Sequence, residues 1–298
     1  MDQGDLHPGV PQRPPASAWV NIDSEDRYKE LFNQIYNPTP ANDFRIQKAQ
    51  PLLYGIFKRV GVSQIQLQYR VPTIVAGVND TFVLWDSTNN DYYQVTLDPG
   101  FYSATTLAAE IQTKVLAIPA NPFTAFTCVY NTFAGGLAMT NTAVDMALSA
   151  TYNPGPLTAT QLTLFERTLE TLGGFIQPPA LAFATGTPKL LYTRYIDIVS
   201  DRLAKFQRVK DADTLPTNKS NIVARVYLTA PNTRVDPSAS GGPFDLTWDP
   251  NTPKHSMWSM DEAIYELDFR LYDERGDLLY WTPGFNTEFQ VSILASET

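Results

Sequence analysis

Few side chains in this 298-residue sequence are suited to covalent or metal chemistry. It holds two histidines and one cysteine. A Ser-His-Asp or Cys-His device must use one of those histidines as its base. His7 sits in a Pro-rich N-terminal stretch, and His255 sits in another Pro-rich stretch. His255 beside Ser256, with Asp249 and Asp261 nearby, is the one set with the right residue types. Its ordinary reading is a solvated loop histidine. Cys128, within Phe126-Thr127-Cys128-Val129-Tyr130, reads as a small buried hydrophobe. A lone cysteine excludes an intrachain disulfide framework, and no Cys/His zinc or copper set can be assembled. The lack of disulfides favours assembly in a reducing compartment.

Carboxylates are harder to dismiss, because there are 31 Asp and Glu. A glycosidase needs only two of them about 5–10 Å apart. Asp197 with Asp201, and Glu266 with Asp268, are the candidate pairs. Glu266 and Asp268 alternate with apolar residues, so surface exposure on a strand explains them. The sequence has no phosphate-binding loop, dinucleotide fingerprint, H-E-x-x-H or EF-hand loop. Ser238-Ala239-Ser240-Gly241-Gly242 is not a nucleophile elbow. The expectation is no enzyme, no metal and no cofactor. Tyr92-Tyr93, Phe101-Tyr102 and Tyr280-Trp281 are candidate sugar-stacking platforms. Adjacent aromatics in strands more often divide between core and interface.

The elements that position these residues are mostly strands. Tyr265, Leu267, Phe269 and Leu271 alternate with Glu266, Asp268 and Arg270, and Phe289, Val291 and Ile293 alternate with Glu288, Gln290 and Ser292. Period-2 alternation predicts half-buried strands that need an opposing sheet. Their partners are expected among residues 44–97 and 190–228, which makes them closing strands and not a local hairpin. Asp273–Asp277, with Gly276, reads as the turn after the first of them. Ile65, Leu67, Tyr69 and Val71 against Gln64, Gln66, Gln68 and Arg70 form the clearest strand of the N-terminal half. A helix is predicted from Ser103 or Thr105 with Leu107, Ile111 and Val115 on one face, and a second over about Thr160–Leu172 ended by Gly173-Gly174. Phe126–Tyr130 and Leu137–Thr140 read as a hairpin. Thr229–Trp258, rich in Pro, Asn, Gly and Ser, reads as one long loop.

Four segments follow: an N-terminal arm over 1–41, a first β part over 42–99, an α+β insertion over 100–188 and a second β part over 189–298. The arm is Pro-rich, with three Lys/Arg against six Asp/Glu, the wrong sign for gripping DNA. Trp19, Arg27 and Tyr36 are its candidate partner contacts. The whole chain carries a formal net charge of −9 and has no basic run, so no direct nucleic-acid recognition is expected. No apolar run approaches the ~20 residues of a membrane span.

The order of several motifs resembles the single jelly-roll penton, or minor capsid, proteins of virophages and Polinton-like viruses. These motifs are Asn21-Ile22-Asp23-Ser24-Glu25-Asp26-Arg27, Asn42-Asp43-Phe44, Asp98-Pro99-Gly100-Phe101-Tyr102 followed by Leu107 and Ile111, and Leu172-Gly173-Gly174-Phe175. Tyr195 to Leu203 and Asp268 to Gly276 complete the series. The extra Gly after Leu172 and the long 229–258 stretch depart from that pattern. The resemblance implies a mainly β protein: an antiparallel single jelly-roll β-sandwich with an α+β insertion and an extended N-terminal arm. It implies homopentamers at the fivefold vertices of an icosahedral capsid, assembled inside the host cell and contacting major and other minor capsid proteins. The polar side of the late strand, Glu266, Asp268 and Arg270, then becomes a candidate subunit contact. The alternatives from the residues alone are a β-sandwich carbohydrate- or receptor-binding module and a carboxylate glycosidase.

Overall fold

The computed structural model describes residues 17–25, 42–147, 158–174, 182–206, 221–228, 233–235, 243–259, 262–280 and 288–297. Its elements in the first half are β1 (Ser17–Asp23), β2 (Asp43–Gln47), β3 (Arg59–Tyr69), β4 (Thr81–Asp86), β5 (Asp91–Thr96), α1 (Ala104–Leu116), β6 (Thr127–Asn131), β7 (Gly136–Thr140) and β8 (Met146–Ala147). The second half adds α2 (Ala159–Leu172), β9 (Ala182–Ala184), β10 (Tyr195–Val199), β11 (Ile222–Tyr227), β12 (Thr233–Val235), β13 (Phe244–Trp248), β14 (His255–Met257), β15 (Glu266–Tyr272) and β16 (Phe289–Ser296). The chain divides into two units. The first is Met1–Gln68, Thr193–Val235 and Asp245–Thr298; the second is Tyr69–Tyr192 and Asp236–Phe244.

The first unit is an antiparallel jelly-roll sandwich. One sheet has the order β1-β16-β3-β13-β12, with β14 also on β3; the other has the order β11-β10-β15-β2. β15 and β16 therefore lie in different sheets, each paired with strands distant in sequence. β15 takes β2 and β10, while β16 takes β3 and β1. Alternation decides which side of each strand is buried. Leu267, Phe269 and Leu271 face inward from β15, and Phe289, Val291 and Ile293 from β16. The two inner faces meet at three rings. Phe44 lies 5.7 Å from Phe269 and 5.9 Å from Phe289, and Phe269 lies 6.2 Å from Phe289. Burying each such side chain contributes about 1.5–3 kcal/mol.

Two features differ from the sequence expectation. Ser17–Asp23, within the segment read above as the N-terminal arm, is an edge strand on β16, in register from Ser17 opposite Ser296 to Asp23 opposite Gln290. Ile22 is its buried anchor, 2% exposed. The stretch read as one long loop over 229–258 contains β12, β13 and β14. In β13, Phe244 and Leu246 are buried while Asp245 faces out. In β14, only Ser256 faces in.

The second unit carries both helices. Ser103 caps α1 by accepting from the Thr106 N–H, and the Thr106 hydroxyl accepts from the Ser103 N–H, a reciprocal cap that satisfies two otherwise orphan donors. Leu107, Ile111 and Val115 are fully buried on one stripe. Thr158 and Gln161 cap α2 in the same way, and Gly173 ends it in the left-handed region at φ 107°. A Cβ at Gly173 would also lie 2.3 Å from the Gly186 carbonyl oxygen, so only glycine fits there. Phe82, Leu84, Val95 and Leu97 share one core with α1, with Phe165 and Leu172 of α2, and with Leu137 and Met139. This shared core is why β4 and β5 fall in the second unit, although the sequence places residues 42–99 with the first β part.

Candidate functional surface

Among the sequence-derived contacts, Glu266, Asp268 and Arg270 share the outer face of the four-stranded sheet. Glu266 lies opposite Gln47, Asp268 opposite Arg45, and Arg270 opposite both Asp43 and Val199. All three are half-buried, and none stands alone. Glu266 is ion-paired to Arg45. The Asp268 carboxylate accepts from the Asp201 N–H at 3.1 Å, the Arg202 N–H at 2.9 Å and the Ser200 hydroxyl at 3.2 Å. It thereby closes the turn that follows β10. The Arg270 guanidinium bridges Asp201 and Asp268, the latter at 3.3 Å. Burial alone would lower the Arg270 pKa; its bond to Asp201 and the nearby acids reverse this and raise it.

Farther across the same face, Arg225 donates to both oxygens of Asp197 at 2.6 and 2.8 Å. The guanidinium also lies 4.2 Å from the Tyr195 ring centre, within cation–π range. That ring is 5.6 Å from Tyr227. Hydrogen bonding to Asp197 is the main cause that pushes the Arg225 pKa further up. The Asp197 carboxylate is thus held as the acceptor of a fork-shaped partner, and the Asp268 carboxylate as the acceptor of three donors.

The other sequence candidates separate in space. His255 and Ser256 are successive strand residues, one exposed and one buried, so they point to opposite sides of β14 and form no dyad. Asp249 is exposed, and Asp261 lies outside the described residues. Cys128 is buried, and that burial pushes its thiol up to about 12, which keeps it protonated and unreactive. Tyr92 and Tyr93 are both partly buried against the second unit's core; Tyr93 meets Phe123 edge-on at 5.4 Å, while Tyr92 stacks on Trp85 at 6.5 Å. No cluster of metal-ligating side chains occurs among the described residues. Trp19 is 61% exposed on the opposite sheet, across from Leu294. Arg27 and Tyr36 lie outside the described residues.

The sequence does not reveal the Arg225–Asp197–Tyr195–Tyr227 cluster, because its pairs come from two strands whose register no local pattern sets. A signal is present in the alternation of Tyr195-Ile196-Asp197 and Arg225-Val226-Tyr227, which puts all four polar or aromatic groups on the side opposite Ile196 and Val226.

The fold is shared with the mavirus penton protein. That crystal structure superposes with a TM-score of 0.51 at 11% identity, covering 94% of this chain and 99% of the other. The structure of the Sputnik virophage gives a TM-score of 0.49 at 13% identity over 96% of this chain and 98% of that one. No protein-family model and no curated protein matches the sequence. Among the described residues no helix is long and apolar enough to cross a membrane.

Proposed function

We propose that this chain is a structural virion protein, a penton or minor capsid protein. Homopentamers of it occupy fivefold vertices and contact major capsid proteins and other minor capsid proteins. The reading is carried by the fold shared with the mavirus penton protein along nearly the full length of both chains. It is supported by the outer face of the four-stranded sheet, where the acids of the candidate catalytic pairs are engaged in holding turns and strands. A sandwich that presents a different face on each side suits heterologous contacts that close into a ring. In this reading Glu266, Asp268 and Arg270 supply part of the subunit contact, and residues 100–188, which carry α1 and α2, are an insertion in the jelly roll. Assembly takes place inside the host cell, and the mature protein resides in the virion.

The test is a reconstruction of the particle that carries this chain. The proposal expects its density at the fivefold vertices in five copies. Density confined to other positions, or a particle that lacks the chain, overturns it.

A further inference from the structure

The outer face of the six-stranded sheet is chemically unlike its counterpart. Three rows of residues cross β1, β16 and β3. Trp19 faces Leu294 and Gly61, Asn21 faces Ser292 and Gln64, and Asp23 faces Gln290 and Gln66. A bulge at Ser292/Ile293, with Ser63 as the extra residue, lies between the first row and the middle one, and the last two rows share one register. The last two rows floor an open depression of about 270 Å³. A second depression of about 150 Å³ shares Gln66 and Gln290 with it and continues past Gln68 to Asp245, Thr247 and Glu288. Together they form one trough across the strands. The Gln290 amide donates to Asp23 at 2.8 Å, which fixes its plane in the trough floor.

The lining selects a class of ligand. Side-chain amides offer donors and acceptors together, as a sugar hydroxyl does. They carry no charge, so covering them costs far less than covering an ion. Asp23 at one end and Asp245 and Glu288 at the other repel anions. Trp19 stands on the same side of β1 as Asn21, two residues or about 7 Å away. At 61% exposure its ring offers a flat apolar surface beside a polar floor. The volume lies just below the roughly 300–1,000 Å³ of sites that take drug-sized ligands, which suits one or two rings.

We propose that this trough binds a neutral oligosaccharide, with hydroxyls on Gln64, Gln66 and Gln290 and one sugar ring against Trp19. This is a recognition activity in addition to the structural role.

The test screens the full-length protein on an array of neutral, sialylated and sulfated glycans. The best-bound neutral oligosaccharide is then titrated calorimetrically. Binding is expected to neutral glycans and not to anionic ones. Q64E and Q66E keep the side-chain size and add a repulsive charge, and each is expected to weaken binding about tenfold. W19A is expected to weaken it about three- to tenfold. K189A, in the second unit where Lys189 pairs with Glu170 at the surface, leaves it unchanged. If W19A does not fold, the two glutamine variants decide the matter. The proposal is overturned if no neutral glycan binds, if Q64E and Q66E bind as the native protein does, or if they change the oligomeric mass and leave sugar binding intact. In that last case the trough is a contact between copies.

Discussion

The two outer faces of the jelly roll occupy equivalent positions in the sandwich and use opposite chemistry. On the four-stranded side the outward acids and arginines are engaged with one another within the chain. Asp197 holds Arg225, Asp268 holds the turn after β10, and Glu266 holds Arg45. On the six-stranded side the trough is lined by a cluster of amides, Gln64, Gln66, Gln68, Gln290 and Asn21. The difference teaches that an alternating strand marks its polar side without saying what that side is for. An acid there can be a structural acceptor whose loss destabilises the fold, whereas a glutamine there can be replaced at little cost to folding and still matter for binding.

That contrast can be broken most forcefully at Asp197. Its side chain is only 9% exposed and that of Arg225 is 28%. D197A strips a fork-shaped partner from a half-buried guanidinium. The buried-pair cost of about 3–5 kcal/mol, reduced for the exposure of Arg225, gives an expected loss of roughly 2–3 kcal/mol in urea unfolding. D268A comes next. Removing a charged acceptor shared by three donors is expected to cost about 2 kcal/mol, and D268N, which keeps one acceptor oxygen in place, less than half of that.

Asp273 sharpens the comparison from the other direction. It is 1% exposed at the end of β15, where its Oδ1 accepts from the Arg275 and Asp277 N–H groups at 2.9 Å each. Burial raises its pKa above the ordinary 3.8, only partly opposed by those bonds. A carboxyl whose folded pKa lies above its unfolded one binds its proton more tightly when folded. Its contribution is therefore fully present below 3.8 and is lost as pH rises through the raised folded value. D273N is expected to remove that fall, read as a shallower decline of unfolding free energy with pH than in the native protein.

Small effects are expected at the exposed ends of both faces. R45A breaks an ion pair whose arginine side chain is 61% exposed, worth about 0–1 kcal/mol. Q66T, on the amide face, is expected to change stability by no more than about 0.5 kcal/mol. A loss at Q66T as large as that at D268A would erase the distinction between the faces.

Much of the fold can be read from alternation and capping. Gln64 to Tyr69 announces β3, and Ser103 with Leu107, Ile111 and Val115 announces α1. The late strands are legible as sandwich strands because Leu267–Leu271 and Phe289–Ile293 each show one apolar side that needs an opposing sheet to cover it. Three features are not legible. β13 is only five residues long, set between prolines and glycines that signal a loop more loudly than Phe244 and Leu246 signal a strand. β1 buries Ile22 while presenting Trp19 to solvent, so its largest apolar residue points the wrong way for an inward pattern. The role of Asp268 depends on the Asp201 and Arg202 N–H groups more than sixty residues away in sequence, a contact that only the β10–β15 pairing creates.

The central claim is that this chain is built to assemble with copies of itself. Native mass spectrometry of the full-length protein at micromolar concentration tests it most directly. The account predicts a species of about 167 kDa, five times the 33.3 kDa chain. A stable 33.3 kDa monomer, unchanged across that concentration range, would contradict it.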